Sequence, residues 1–378
     1  MPSKILELRQ CPARAHWQTK VEQDGFTWHT LEGTPYWAEG RYLEIDLASA
    51  EVLEDAANTV HALCLEACDQ ILKRDWFSRL GIPSDVARLI EESWRRHDRA
   101  LYGRFDFAWD GRGHPKLLEY NADTPTSLLE SSIIQWRWKE EVFPKADQLN
   151  SLHEGLVEAW RTYPAPIVHF ACSQESQEDL QTTAYMAECA EQAGKRVVLM
   201  DMSEIGVSAY QTLRDMEETE ILRLFKLYPW EWLVEDPAFA TIPHMLHAFT
   251  EPIWKMLLSN KAILPVLWEL FPNHPNLLPA YLQPNSLAGR DMVVKPALGR
   301  EGSNVSILRH GQSLAANNGP YADNLMVYQE RAEVLRGTGT TCVFGLWMVG
   351  NTCRGLSLRE QEGLITGNAS RFVPHILV

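Results

Sequence analysis

Arg104, Asp106, Glu119 and Asn121 are the residues whose types and spacing could do chemistry together. Arg104-Phe105-Asp106-Phe107 alternates polar and aromatic side chains. Leu118-Glu119-Tyr120-Asn121 alternates again after a Gly111-Arg112-Gly113 turn. In a strand, side chains at i and i+2 share a face. The spacing therefore predicts a hairpin whose polar wall carries Arg104, Asp106, Glu119 and Asn121. Phe105, Phe107 and Trp109 on one strand, and Leu118 and Tyr120 on the other, turn away from it. Three hard oxygen ligands beside an arginine suit magnesium with phosphate attached. That cation prefers a few protein oxygens plus substrate phosphates over an all-protein cage, and arginine stabilises charge on a phosphoryl group in transfer. A solvated hairpin edge with an ion pair is the competing reading of this segment alone, because alternating strands ordinarily have one polar face. Asn121 argues against it. A surface edge has no special need for an amide, whereas a metal site gains an oxygen without another negative charge near phosphates.

A second chemical element lies nearly two hundred positions on. Gly299 to Asn304 is a glycine-rich loop between a strand ending at Val293-Val294-Lys295 and another beginning at Val305. It lacks the Gly-x-x-x-x-Gly-Lys-[Ser/Thr] pattern, so it is not a P-loop. Glycines let backbone N–H groups approach phosphate oxygens, and Lys295 would reach those phosphates as a point charge. Alone, such a loop reads more readily as a plain turn. Together with the hairpin it supplies the parts a phosphoryl-transfer site needs: a lysine, a glycine flap and a magnesium wall.

These residues need elements to position them. Residues 1 to about 40 are polar with aromatic islands at Trp17, Phe26, Trp28, Tyr36 and Trp37, and are expected to wrap a later lobe. Glu51 to Lys73 has helical periodicity, Pro83 opens a helix expected to run to about Tyr102, and Thr126 to Glu141 reads as a third. After Pro164 and Pro166 comes a strand–helix–strand unit (167–172, 177–192, 195–200), which favours a parallel sheet with a right-handed crossover. It has no Gly-x-Gly-x-x-Gly, which argues against a dinucleotide there. Strands are expected at 325–330, 342–349 and 353–358. The expected division is 1–163 with the metal-type hairpin, 164–258 as a small α/β lobe, and 259–378 with the glycine flap.

Composition sets the outer limits. With 378 residues, 45% of them hydrophobic and 22% charged, the chain can bury a substantial core and is no disordered polyelectrolyte. The net charge of −15 argues against nucleic acid, whose binding requires neutralised phosphates. No run is long and apolar enough for a membrane span, and Met1-Pro-Ser-Lys-Ile-Leu-Glu-Leu-Arg lacks an apolar signal core, so a cytoplasmic location is expected. Seven cysteines without a Cys-x-x-Cys pair do not make a disulfide framework. Cys64 and Cys68, one turn apart, read as buried thiols, and His244 and His247 as ordinary helix residues. There is neither a Gly-x-Ser-x-Gly elbow nor a His-Glu-x-x-His pair.

Several segments carry a resemblance in order along the chain: 104–107, 117–127, Lys226-Leu227-Tyr228-Pro229-Trp230-Glu231-Trp232, Asn260-Lys261-Ala262-Ile263-Leu264-Pro265, Val294-Lys295-Pro296 with the glycine loop, and 370–375. They resemble the synthetase domain of the glutathionylspermidine synthase family and its stand-alone bacterial relatives. The resemblance implies a mixed α+β and α/β chain with a circularly permuted ATP-grasp fold and a small pre-ATP-grasp lobe. It implies an ATP-dependent, ADP-forming acid–amine ligase working through an acyl phosphate, with small-molecule carboxylate and amine substrates. Asp106, Glu119 and Asn121 would hold magnesium, with two ions expected, and Arg104 would act on the transferring phosphate. Arg104, Asp106, Lys261, Lys295, Gly302, Gln329, Leu364, Ile365 and Thr366 would bind ATP, with Gln329 beside the adenine. Thr124, Thr126 and Ser127 would contact the acid, and Arg359 and Arg371 are further candidates for phosphate. The amidase segment of bifunctional members is missing, so no thiol-hydrolase activity is expected. The Lys226–Trp232 segment resembles that of the stand-alone relatives and is expected near the acid pocket, which leaves glutathione and spermidine open as substrates. Peptide or amino-acid ligation by the same chemistry, or nucleotide binding without catalysis, are the alternatives.

Overall fold

A 28-residue helix, Leu47–Arg74, is the spine of the larger core. Its buried residues Leu53, Ala56, Ala57, Val60, Cys64, Ala67, Cys68 and Ile71 recur every three or four positions, the spacing of one helical face. Asp46 caps it, with its side chain accepting from the Ser49 N–H at 2.7 Å; Lys73 and Arg74 occupy the last turn, where cations oppose the helix dipole. Cys64 and Cys68 are free and fully buried, as expected. The computed structural model describes residues 5–31, 33–365, 367 and 370–378. Among them, no helix is long and apolar enough to cross a membrane.

The chain is mixed α/β, with three principal sheets. The first is five-stranded and antiparallel, in the order Arg371–Val373, Thr352–Glu362, Thr340–Val349, Tyr102–Ala108, Lys116–Asn121. The last two strands are the expected hairpin. The second, also antiparallel, runs Ala280–Tyr281, Met326–Glu330, Met292–Pro296, Ser306–Arg309, Gln312–Ala316. It carries the glycine loop. The third is parallel, in the order Phe249–Thr250, Leu224–Leu227, Ile167–Cys172, Arg196–Asp201. Ile167–Cys172, the helix Gln177–Gln192 and Arg196–Asp201 form the expected strand–helix–strand unit. Phe26, Trp28, Tyr36 and Trp37 are buried in a second core with Trp138, Trp160 and Phe372; the N-terminal aromatic islands do wrap a later part of the chain.

Several local expectations are corrected. The helix after Pro83 is Ser84–Arg95, not a run to Tyr102. His97 turns into the left-handed region (φ 55°) and the Asp98 N–H closes onto the Ser93 carbonyl at 3.1 Å. Leu101 and Tyr102 then give their N–H groups to the buried Glu251 carboxylate. The helix expected from Thr126 begins at Leu128 and opens with a π-helical turn, Glu130–Ile134. The long strands Thr340–Val349 and Thr352–Glu362 follow the flap in sequence, yet they join the sheet of the metal-type hairpin, with Thr340–Val349 pairing it directly.

One buried ion pair ties the hairpin's exit to the parallel sheet. Lys226 Nζ meets Asp123 Oδ1 at 2.7 Å and the Tyr228 carbonyl at 2.8 Å, while Asp123 Oδ2 accepts the Trp230 N–H at 2.8 Å. Lys226 and Asp123 are both fully buried. Removing one partner leaves the other charge uncompensated, at a cost of about 3–5 kcal/mol. Lys226→Met is therefore expected to lower the unfolding free energy by about that amount, read as a reduced urea midpoint at constant m value. A loss below about 1 kcal/mol would place the pair among energetically idle ones.

Candidate active site

The hairpin register sets Arg104 opposite Asn121 and Asp106 opposite Glu119, so the four polar side chains share one wall as the alternation predicts. A bulge interrupts the pairing: Phe107 partners Leu117, and Leu118 becomes the extra residue. This corrects the expected apolar face, because Leu117 is the leucine buried in the core while Leu118 is half-buried. The bulge also frees the Leu118 carbonyl, which accepts Lys295 Nζ at 2.6 Å. Bulges beside functional sites commonly re-aim groups in this way.

The two distant chemical elements meet at this point. Lys295 Nζ also donates to Gln329 Oε1 at 2.8 Å, and Gln329 Nε2 donates to the Leu117 carbonyl at 2.9 Å. Lys261 Nζ lies 3.3 Å from Glu119 Oε2 and donates to the flap carbonyl of Gly299 at 2.7 Å. Arg104 and Asp106 are buried, with Arg104 Nε donating to Asp106 Oδ1 at 2.8 Å and Arg104 Nη1 to the Thr126 carbonyl at 2.7 Å. Arg359 Nη2 adds 3.0 Å to Asp106 Oδ2. Room for Arg104 comes from Gly345 on the neighbouring strand, where a Cβ would lie 2.3 Å from Ser357 Oγ and 3.0 Å from Arg104 Cδ.

The remaining predicted residues divide. Gly302 sits in the flap with φ +68°, a backbone that favours glycine. Leu364 and Ile365 are half-buried just beyond the Thr352–Glu362 strand. Gly367 runs so close to the flap that a Cβ there would be 3.2 Å from the Glu301 carbonyl. Thr366 lies outside the described residues. Thr124, Thr126 and Ser127 follow the hairpin; the Thr126 carbonyl holds Arg104, and Ser127 is a non-glycine residue at φ 68°. Arg371 does not join the wall. It faces Glu360 at 3.5 Å in a cluster with Arg41, because 359 and 360 alternate faces of one strand. Sequence reasoning missed Arg300 as a site residue. It stands in the flap, donates to Thr124 Oγ1 at 2.5 Å and lies 5.2 Å over the Trp232 ring. Its place inside the glycine loop was the available signal.

The electrostatics follow from this crowding. Burial pushes the Glu119 carboxyl up, but Lys261, Lys295 and Arg359 outweigh it and pull it down to about 2. Burial pushes the Lys295 ammonium down, Glu119 pulls it back, and the balance leaves it at about 8. Among the described residues no group of three or more His, Cys, Asp or Glu side chains stands ready as a metal cage. Asp106, Glu119 and Asn121 offer two carboxylates and an amide, the hard-oxygen set that magnesium completes with phosphate oxygens and water. A cavity of about 380 Å³ lined by His61, Trp94, Tyr120, Trp254, Lys255 and Asn351 involves the opposite face of the hairpin, without these donors.

Residues 8–378 match the family model described as "Glutathionylspermidine synthase preATP-grasp". A Haemophilus influenzae protein, named provisionally as an acid–amine ligase, is 38% identical over 97% of this chain and 98% of its own length. The trypanothione synthetase of Crithidia fasciculata is 30% identical over 83% of this chain and 53% of its own length. The bifunctional glutathionylspermidine synthetase/amidase of Escherichia coli is 30% identical over 89% of this chain and 59% of its own. The chain thus spans between half and three-fifths of those last two enzymes. A glutathione synthetase-like effector from Globodera pallida, solved in apo form, shares the fold with a TM-score of 0.59 and 11% identity, over 98% of this chain and 100% of its own. The class is that of ATP-dependent carbon–nitrogen ligases. Within it, the chain belongs to the glutathionylspermidine synthase family.

A lysine that grips phosphate must carry its charge. With its ammonium depressed to about 8, Lys295 loses its proton in the free folded protein as pH rises through that value. ATP affinity is therefore expected to fall above about pH 8, and binding there to take up a proton. Calorimetry at about pH 7 and about pH 9, in buffers of different ionisation enthalpy, measures both. Lys295→Arg, charged throughout, should flatten the dependence. Equal affinities for the native protein at both pH values would separate Lys295 from the phosphates.

Proposed function

We propose that this chain is an ATP- and magnesium-dependent, ADP-forming acid–amine ligase that makes an amide through an acyl phosphate, on a circularly permuted ATP-grasp core with 164–258 as its small pre-ATP-grasp lobe. The observation that carries the reading is the convergence at the hairpin: Lys261 bridges Glu119 and the flap, and Lys295 bridges the Leu118 carbonyl and Gln329.

Lys261, Lys295 and the flap around Gly302 bind the triphosphate of ATP, with Gln329, Leu364, Ile365 and Thr366 toward the nucleoside. Asp106, Glu119 and Asn121 hold magnesium, which when bound offsets phosphate charge. The acid lies along Thr124, Thr126 and Ser127. Its carboxylate attacks the γ-phosphate, an approach of two anions that Arg104 and Arg359 compensate electrostatically. The amine then attacks the acyl carbon and phosphate leaves. Positioning and charge compensation suffice, so no protein nucleophile is required. Arg300, bonded to Thr124 and stacked on Trp232, joins the flap to the acid side. Substrates of the glutathione and polyamine type are the first to try, because relatives carry those names.

Magnesium-ATP with paired acids and amines, followed by ADP release and mass spectrometry of the product, tests the reading. An amide formed with stoichiometric ADP is expected; ATP binding without ADP from any pair would turn the chain into a nucleotide-binding protein. Arg104→Ala should preserve ATP affinity yet lower turnover about a hundredfold or more, the scale for one preorganised stabiliser. Undiminished turnover would take Arg104 out of the reaction. Glu119→Ala should weaken magnesium-nucleotide binding, and calorimetry showing no change would take Glu119 out of the site.

A further inference from the structure

A strand at the edge of a sheet presents unused backbone groups, and folded chains ordinarily cover or guard them. The parallel sheet ends on one side in Phe249–Thr250, a strand of 2 residues. On the other side it ends in Arg196–Asp201, a strand of 6 residues that pairs only with Ile167–Cys172 among the described residues. This longer edge carries no proline, and its middle, Val197-Val198-Leu199-Met200, is apolar. Arg196 is exposed, and Leu199 is 57% exposed.

The ladder decides which backbone groups are unused. The Arg196 N–H donates to the Pro166 carbonyl at 2.9 Å. Alternate residues of a strand turn both backbone groups to the same side. Arg196, Val198 and Met200 therefore serve Ile167–Cys172, whereas Val197, Leu199 and Asp201 face outward. The outward row is closed at both ends. The Lys195 N–H donates to the Ala190 carbonyl at 2.9 Å, and the Asp201 N–H donates to Glu204 Oε2 at 2.9 Å. Between these ends, the outward N–H and C=O groups of Val197 and Leu199 have no partner among the described residues.

We propose that this edge is a self-complementary interface, on which a second copy of the chain pairs antiparallel about a twofold axis at Val198. The two four-stranded sheets then become one continuous sheet. In that register the Val197 N–H donates to the carbonyl of the partner's Leu199, and the N–H of the partner's Leu199 donates to the Val197 carbonyl. The twofold repeats both bonds, so each unused group in the middle of the edge is satisfied. The side chains agree with the backbone. Leu199 packs across the boundary on the partner's Val197 and leaves water. Lys195 comes opposite the partner's Asp201, so unlike charges face each other on either side of the axis.

Other registers fit less well. A slip of one residue sets outward-facing groups against inward-facing ones. A slip of two in one direction puts Val197 against the partner's Asp201, and in the other direction puts Leu199 against the partner's Lys195. The N–H groups of Asp201 and Lys195 are already spent. An unrelated extended segment could meet the backbone groups, but the strand's own sequence also supplies the unlike charges at both ends. The interface is independent of the ligase reading, because none of its residues belongs to the proposed site.

Sedimentation equilibrium of the full chain tests the association. The native protein should reach twice 43.1 kDa at micromolar concentration and dissociate on dilution. Leu199→Lys alters an exposed side chain and brings like charges together, both across the axis and with the partner's Lys195. Val197→Pro deletes an outward N–H without touching the bonds to Ile167–Cys172, a change that edge strands tolerate. Both variants should sediment as monomers where the native protein is dimeric, with unchanged circular dichroism. If Val197→Pro fails to fold, Leu199→Lys alone carries this comparison. A native chain that stays monomeric, or dimers that persist in the folded variants, overturns the proposal.

Cysteine pairs test the register. Val198 meets its own copy at the axis, within the reach of a disulfide. Under a mild oxidant Val198→Cys should therefore give a covalent dimer on a non-reducing gel. Arg196→Cys, opposite the partner's Met200 and far from its own copy, should not, and the native chain serves as the blank. Cross-linking by Arg196→Cys instead, or by neither variant, overturns the pairing at Val198.

Discussion

The site depends on lysines of one part of the chain gripping a hairpin of another. Lys295 reaches the Leu118 carbonyl and Lys261 reaches Glu119, from positions more than a hundred residues downstream. Buried cations are costly to leave unpaired, so this contact holds the flap's sheet against the hairpin's sheet. The same contact places a glycine-rich loop over a wall of carboxylates. Gln329 strengthens it by spanning Lys295 and the Leu117 carbonyl in one side chain. Structure and chemistry thus draw on one set of charges.

That arrangement needs local departures from regular backbone. Without the bulge at Leu118, its carbonyl would be committed to the ladder instead of to Lys295. Without Gly345, a side chain would occupy the space that Arg104 crosses. Ser127 in the left-handed region and the π-helical turn after it shape the acid-side loop. Each departure lies beside a proposed site residue, as expected where function competes with ideal geometry.

The loop after the hairpin is tied to all three principal sheets. Asp123 is locked to Lys226 of the parallel sheet, Thr124 to Arg300 of the flap, and the Thr126 carbonyl to Arg104 of the hairpin. Motion of one part would therefore be felt by the residues proposed to hold the acid. The segment 226–232 enters through the same contacts, with Lys226 buried as an anchor and Trp232 exposed beneath Arg300.

What the sequence determined by itself was local and periodic. A two-residue repeat placed Arg104, Asp106, Glu119 and Asn121 on one face, and a three-to-four repeat marked the long helix, because side-chain direction is set by backbone geometry within a few residues. The strand–helix–strand unit was legible for the same reason. The tertiary structure alone decided which strands share a sheet, so that Thr340–Val349 pairs with the hairpin. It alone shifted Leu118 into a bulge, sent Arg371 to Glu360 and Arg359 to Asp106, and set Glu130 under the Trp28 indole. Those outcomes depend on burial and on charges brought together from distant positions, and neither leaves a period in the sequence.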